Sequence, residues 1–338
     1  MGQRRPPDAR AFLRAPREHR TRSAHLRADI QGDERGDGEV SATVSYREFG
    51  GEIPRTVAFV ILTWNSEGYV RACLESVLGL GDMCAAAYVV DNGSTDGTLD
   101  ALSEIAAADG RLRMLPQGCN LGTTVSRNIA IREALTMSPR PGYICVLDSD
   151  TVANEAAIGS AVDALESDPT IAVAGPTLVG GDGSEQLSGR NLPTLGIKFG
   201  KACPLGRVAE RAAAAEVPDS PVVGGVQDVG YLLSACWVTP MWVWERVGLL
   251  DEKIFYAPED VDWCLRCHEA DYRVVRSHGP SMTHLYQRVS KKRLLSKTNW
   301  EHVKGLVHYF RKHGYLLRAP ELRNAPCGGS ISKDCTRG

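Results

Sequence analysis

The chain has 338 residues, 43% of them hydrophobic and 24% charged, with a formal net charge of −2. That balance excludes a natively unfolded chain and a strongly basic nucleic-acid binder, and no run of eighteen apolar residues occurs that would span a bilayer. The length suits one large domain or two modest ones.

The first thirty residues carry eight arginines against three acidic side chains. They show almost no apolar periodicity, so residues 1–50 are predicted to be a disordered arm, with an anionic-membrane or RNA tether as the functional alternative. No apolar segment follows Arg4-Arg5, which argues against a twin-arginine signal, and a cytoplasmic location is expected. From residue 56 onward strands and helices alternate, which predicts an α/β fold with a doubly wound, mostly parallel sheet. Thr56–Thr63 is the first strand. Val70, Cys73, Leu74, Val77 and Leu78 have the spacing of one helix face, closed by residues 79–82. Ala86–Val90 is the second strand, and Ser94 or Asp96 caps a helix to Ala108 with Leu99, Leu102 and Ile105 on one side. Arg111–Leu115 is a third strand, Thr124–Leu135 a helix, Tyr143–Leu147 a fourth strand, Asn154–Glu166 a helix and Ile171–Ala174 a fifth strand. Residues 180–230 are rich in Gly, Ala and Pro and read as loop with one short helix, a mobile cover. Structure resumes at Val229, with an irregular run Tyr231–Trp244 and a turn from Leu250 leading into a helix over Val261–Glu269. A basic amphipathic helix over 291–316, with Trp300, Val303, Leu306, Val307 and Phe310, precedes a flexible tail.

The ten cysteines are scattered through predicted helices and strands, which indicates reduced, mostly buried thiols. Cys264 and Cys267 with His268 have the start of a zinc motif but no second ligand pair, so core packing is the expectation. No role is assigned to Cys327 and Cys335.

In an open α/β sheet the ligand sits beyond the carboxyl ends of the strands. The polar residues collect there: Thr63 and Asn65 after strand one, Asp91 and Asn92 after strand two, Asn120 after strand three, and Asp148 and Asp150 after strand four. Two carboxylates one residue apart, where a strand turns, can converge on one divalent cation and the phosphates it carries. Each residue taken alone is an ordinary turn former, but four strand ends agree. The segments Thr63-Trp64-Asn65, Asp91-Asn92-Gly93-Ser94-Thr95-Asp96-Gly97-Thr98, Asn120-Leu121-Gly122 with Arg127-Asn128, Asp148-Ser149-Asp150 and Glu259-Asp260-Val261-Asp262 resemble the inverting nucleotide-sugar glycosyltransferases of family two. The resemblance covers residues 56–290. The run from Phe255 to Arg266 is most similar to rhamnosyltransferase-type members, which carry Phe-x-Tyr-x-Glu-Asp-Val-Asp-Leu-Cys-x-Arg; Pro258 and Trp263 depart from that pattern.

The resemblance implies a glycosyltransferase A fold, with a nucleotide-sugar half over 56–178, an acceptor half over 179–290, and metal-dependent transfer from a dTDP- or UDP-linked sugar. Asp148 and Asp150 would hold Mg²⁺ or Mn²⁺, with His284 completing the set and His278 as the competitor. Asp91 would accept the N3–H of a pyrimidine, with Thr63, Asn65 and Asn92 lining the nucleotide pocket. Arg127 would approach the donor phosphates or ribose, or form a surface salt bridge. Asp260 would be the base, with Glu259 orienting it or binding acceptor hydroxyls. Trp237, Trp242 and Trp263 would be either a stacking floor or core. The expected partners are the nucleotide-diphosphate sugar and a hydroxyl acceptor, whether saccharide, lipid-linked or small molecule, with peripheral contact at the inner face of a membrane and no nucleic acid. A dinucleotide-dependent oxidoreductase would need Gly-x-Gly-x-x-Gly after the first strand, where this chain has Trp64-Asn65-Ser66-Glu67-Gly68. A sugar-nucleotide pyrophosphorylase or a catalytically inactive nucleotide-sugar-binding protein are the alternatives.

Overall fold

The first strands are apolar on both faces, as strands covered by helices on two sides must be. A computed structural model of the chain describes residues 53–285 and 297–322. The predicted arm over 1–50, the first residues of the predicted 291–316 helix, and the tail from 323 lie outside the described residues. In chain order the elements are β1 (Val57–Thr63), α1 (Val70–Leu78), β2 (Cys84–Asp91), α2 (Thr98–Ala108), β3 (Leu112–Pro116), α3 (Thr123–Leu135), β4 (Tyr143–Asp148), β5 (Thr151–Val152), α4 (Glu155–Ser167) and β6 (Ile171–Val179). There follow β7 (Glu185–Gln186), β8 (Gly189–Arg190), α5 (Leu195–Ala202), α6 (Gly206–Ala214), β9 (Val222–Val223), β10 (Val226–Asp228), β11 (Tyr231–Leu232), β12 (Cys236–Pro240), α7 (Met241–Val247), α8 (Glu259–Glu269), β13 (Arg273–His284) and α9 (Lys297–His313).

The main sheet runs β3-β2-β1-β4-β12-β6-β13-β10-β9. β3, β2, β1 and β4 are parallel to one another, β12 is antiparallel to both β4 and β6, and β6 is parallel to β13. The doubly wound, mostly parallel α/β arrangement read from the sequence is therefore present. Alternate residues of β1 feed two cores: Val57, Phe59 and Ile61 pack with α1, α2 and α4, while Ala58 and Val60 pack with α3, α7, α8 and α9. Strand β12 from the later part of the chain inserts between β4 and β6, so residues 179–290 complete the same sheet that residues 56–178 begin.

Several elements differ from expectation. β6 extends to Val179, and α8 begins at Glu259 rather than Val261. The run read as irregular from Tyr231 to Trp244 resolves into β11, β12 and α7. Residues 180–230 hold two helices and several short strands rather than loop with one helix, because Gly and Pro punctuate the segment without preventing short pairings. β13 carries no clean alternation: its register shifts between Arg276 and Ser281, around Gly279 and Pro280. Trp237 and Trp263 are fully buried and stacked at 5.6 Å, which makes them core rather than a sugar floor. All cysteines among the described residues are free thiols, and Cys264 and Cys267 are buried in the core. His268 does not join them, since its Nε2 is bonded to the Gly230 carbonyl at 3.1 Å.

Candidate active site

Parallel register sets the site. Thr63 pairs with Asp91 across β1 and β2, and Leu62 with Asp148 across β1 and β4, so the three strands end side by side. At the β2 end, Asp91 is almost fully buried and its carboxylate accepts from the Thr63 hydroxyl at 3.0 Å, the Gly93 N–H at 3.1 Å, the Ser94 N–H at 2.9 Å and the Ser94 hydroxyl at 2.5 Å. A carboxylate accepts about four hydrogen bonds, so Asp91 shapes the loop that follows it. Asn92 is equally committed. Its amide donates to Asn120 Oδ1 at 3.0 Å, and its oxygen accepts from the Leu121 N–H at 2.8 Å and the Ser126 hydroxyl at 2.9 Å. It ties β2 to the turn before α3. There Gly122 adopts φ +85°, and a Cβ would lie 2.3 Å from the Phe255 carbonyl oxygen. Asn65 sits exposed at the rim at φ +51°, accepting from the Thr95 N–H at 2.8 Å, beside exposed Trp64.

At the β4 end the acidic pair meets a histidine that is 134 residues further along the chain. β5 pairs with β13 with Thr151 opposite His284, and the Leu285 N–H donates to the Asp150 carbonyl at 2.9 Å. His284 Nε2 thereby stands 3.4 Å from Asp150 Oδ1, and ligand atoms of Asp148, Asp150 and His284 all lie within 4.8 Å of one another. Two carboxylates and an imidazole are a suitable oxygen and nitrogen donor set for Mg²⁺ or, better, Mn²⁺. His278, the competing candidate, is exposed and bonded to the Gly225 carbonyl through its backbone, at the β10 edge. Sequence reasoning missed Gln186. Its amide nitrogen donates to the His284 carbonyl and its oxygen accepts from His284 Nδ1–H, both at 2.8 Å, so that in the neutral ring the lone pair is on Nε2, the nitrogen beside Asp150.

The two acidic motifs are joined by Arg127. This side chain is 2% exposed, donates at 2.6 Å to Asp148 Oδ1 and at 2.8 Å to Glu259 Oε1, and is a buried strut rather than a surface bridge. Ser234, on the loop between β11 and β12, adds a longer contact to Glu259 at 3.3 Å. Asp260 Oδ1 accepts from the Val261 N–H at 2.9 Å within the first turn of α8, and Lys198 and Arg190 supply nearby positive charge.

Two carboxylates, Asp148 and Glu259, thus contact one guanidinium, each with a second acidic residue nearby in sequence, Asp150 and Asp260. Burial raises the pKa of Asp148, and Asp150 adds to this while Arg127 and His284 oppose it. Burial and then Asp260 push Glu259 up to about 8, against the pull of Arg127. Burial likewise raises Asp260, with the Val261 N–H and Lys198 opposing. For His284 burial works against the charged ring, but the contact with Asp150 and the charges of Asp150 and Asp148 outweigh it and its pKa is raised. A divalent cation would relieve this excess of negative charge, releasing the proton of His284 as it bound.

Residues 58–207 match the family model for glycosyl transferase family 2. The N-acetylglucosaminyl-diphospho-decaprenol L-rhamnosyltransferase of Mycobacterium tuberculosis is 26% identical over 275 residues, covering 77% of this chain and 86% of that protein. Among solved structures, GalNAc-T7 with UDP, GalNAc and Mn²⁺ superposes with a TM-score of 0.55 at 14% identity, over 76% of this chain but only 47% of that one. The mannosyltransferase PcManGT of Pyrobaculum calidifontis, with GDP-Man and Mn²⁺, gives a TM-score of 0.51 at 18% identity, covering 80% of this chain and 66% of that one. These likenesses share the α/β glycosyltransferase A fold.

Proposed function

The chain carries a family 2 glycosyltransferase domain and is a glycosyltransferase enzyme with the glycosyltransferase A fold; from that premise we propose that it transfers a sugar from a dTDP- or UDP-linked donor to an acceptor hydroxyl, with metal dependence and inversion of configuration. The observation that carries this reading is Arg127, because one buried guanidinium ties the cation-ready strand end at Asp148 to the acidic start of α8 at Glu259.

Asp148, Asp150 and His284 would hold Mn²⁺ or Mg²⁺, with Gln186 fixing the ring nitrogen presented. A cation at these residues would supply Lewis-acid stabilisation of the departing diphosphate. The Asp91 loop, with Thr63 and Asn65, is assigned to the nucleoside, a pyrimidine N3–H taking the place of the Ser94 hydroxyl on Asp91. Asn92 serves this pocket as a brace, and Arg127 steadies Asp148 beside the donor phosphates. Asp260 is the proton acceptor: it is half-buried at the start of α8, and its raised pKa makes it a stronger base than an exposed aspartate. Glu259, held by Arg127 and Ser234, positions α8 and the acceptor. With Asp260 as the single base and the acceptor hydroxyl attacking directly, a single displacement would invert the anomeric carbon.

The nucleotide-sugar half over 56–178 and the acceptor half over 179–290 follow from this assignment. The named acceptor of the mycobacterial relative is lipid-linked, which supports a lipid-linked hydroxyl acceptor and a place at the cytoplasmic face of a membrane. Among the described residues no helix is long and apolar enough to cross a membrane. The reading is tested by incubating the protein with uridine-, thymidine- and guanosine-diphosphate sugars and Mn²⁺. Pyrimidine-nucleotide release is expected; release from the guanosine donors alone would reject the donor assignment, and retention of configuration by NMR would reject the single displacement.

A further inference from the structure

α9 presents two different faces. On the inner one, Tyr309 and Phe310 are buried, and Gly305 lies so close to the turn before α8 that a Cβ there would stand 2.1 Å from the Ala257 carbonyl oxygen. On the outer one, Trp300, Val303 and Val307 follow one another at helical spacing and are 61%, 48% and 45% exposed. Lys304, bonded to Glu301 at 2.9 Å, and Arg311 lie on the same side. A helix that met only water would carry polar residues on this stripe. Beyond α9, Leu316 and Leu317 are also exposed, and the Leu316 carbonyl accepts from the Leu195 N–H at 2.8 Å, which brings α5 with its exposed Phe199 alongside.

We propose that this face docks on an anionic lipid bilayer. Aromatic and aliphatic side chains flanked by Lys and Arg are the composition of an interfacial helix. Charge decides between a bilayer and a second copy of the chain. On this side Lys304, Arg311 and Arg318 of the α9 region and Arg207 and Arg211 of α6 are exposed, against the acidic Glu301 and Glu210, in a chain whose net charge is −2; Lys312 and Lys201 are already paired, with Asp251 and Asp262 and with Glu216. Self-association would set these like charges against each other, whereas anionic headgroups neutralise them. Position gives the surface a purpose: one helix diameter, about 10 Å, separates the outer stripe from the turn that leads into Glu259 and Asp260. The inference rests on the glycosyltransferase reading for that purpose, since an acceptor anchored in the bilayer would be presented beside the carboxylates.

The test is flotation of the full chain with vesicles of phosphatidylcholine alone and of phosphatidylcholine with phosphatidylglycerol. Binding to the anionic vesicles is expected, with a blue shift of tryptophan emission that Trp300→Phe removes. Lys304→Gln and Arg311→Gln should each weaken partitioning about fivefold. Trp300→Glu/Val303→Glu/Val307→Glu should abolish it without altering thermal unfolding, because all three side chains point outward. The arginines of residues 1–30 are present in every variant, so equal binding by all of them would overturn the proposal. So would a triple variant that merely converts a dimer to a monomer in sedimentation while the wild type ignores vesicles. Vesicle binding needs no transfer reaction, so loss of one result leaves the other intact.

Discussion

Replacing Arg127 by methionine should destabilise the protein in a pH-dependent way. Methionine retains most of the stem volume, so the change isolates the charge. Arg127 is 2% exposed and donates two short hydrogen bonds to carboxylates, to Asp148 at 2.6 Å and to Glu259 at 2.8 Å. Removing one member of such a buried pair costs about 3–5 kcal/mol. Glu259 then sets the pH dependence. Its pKa is raised from the ordinary 4.5 to about 8 by burial and Asp260. A raised carboxyl contributes stability that is fully present below 4.5 and lost as pH rises through about 8, so the wild type itself should soften across that interval. The variant should soften more, because above that pH nothing offsets the charged Glu259. Denaturant unfolding of the metal-free protein near pH 6 and near pH 9 should show a variant-to-wild-type gap about 1 kcal/mol wider at the higher pH. An equal gap at both pH values, or a variant as stable as the wild type, would refute the strut.

Asp260→Asn should lower kcat by about 10²–10⁴ with donor affinity nearly unchanged, whereas Glu259→Gln should be milder and weigh on acceptor KM; steady-state kinetics with both variants would settle which carboxylate is the base. Gln186→Leu should weaken Mn²⁺ binding about 10- to 100-fold in calorimetry and release the His284 tautomer, read by ¹⁵N shifts, while an unchanged tautomer would remove Gln186 from the site. Asp91→Ala strands the N–H groups of Gly93 and Ser94 and should cost about 2–4 kcal/mol of stability. If Asp91 also reads the base, nucleotide affinity falls about ten- to a hundredfold as well; lost stability with unchanged affinity would confine Asp91 to shaping its loop.

The strand ends were legible because parallel strands buried on both faces are continuous apolar runs that stop at polar turns, and parallel register then aligns Thr63, Asp91 and Asp148 without further information. His284 was found through the family resemblance, since β13 itself is interrupted by Gly279-Pro280 and shows no strand pattern. Arg127 was singled out, but its partners were not: they lie 21 and 132 residues away, and sequence spacing on one helix says nothing about which strand end a long side chain reaches. Gln186 occupies a two-residue strand in a Gly-rich stretch, where nothing local distinguishes it from a solvated loop residue. Asn92 was expected to line the nucleotide pocket; its side chain also braces the turn into α3, a role that turn chemistry allows and the sequence did not single out. The sequence grouped Trp300, Val303, Leu306, Val307 and Phe310 in one amphipathic helix; the structure buries Phe310 and leaves Trp300, Val303 and Val307 exposed, a division that periodicity could not show.

The metal site is the centre of the account, and nucleoside diphosphate release measured with and without chelator tests it most directly. With a pyrimidine-nucleotide sugar, an acceptor and Mn²⁺, the wild type should turn over, excess chelator should abolish turnover, and added Mn²⁺ should restore it. Asp150→Ala should stay folded and bind the cation too weakly to be rescued. Full activity in excess chelator, or an Asp150→Ala enzyme as fast as the wild type, would contradict the assignment of Asp148, Asp150 and His284.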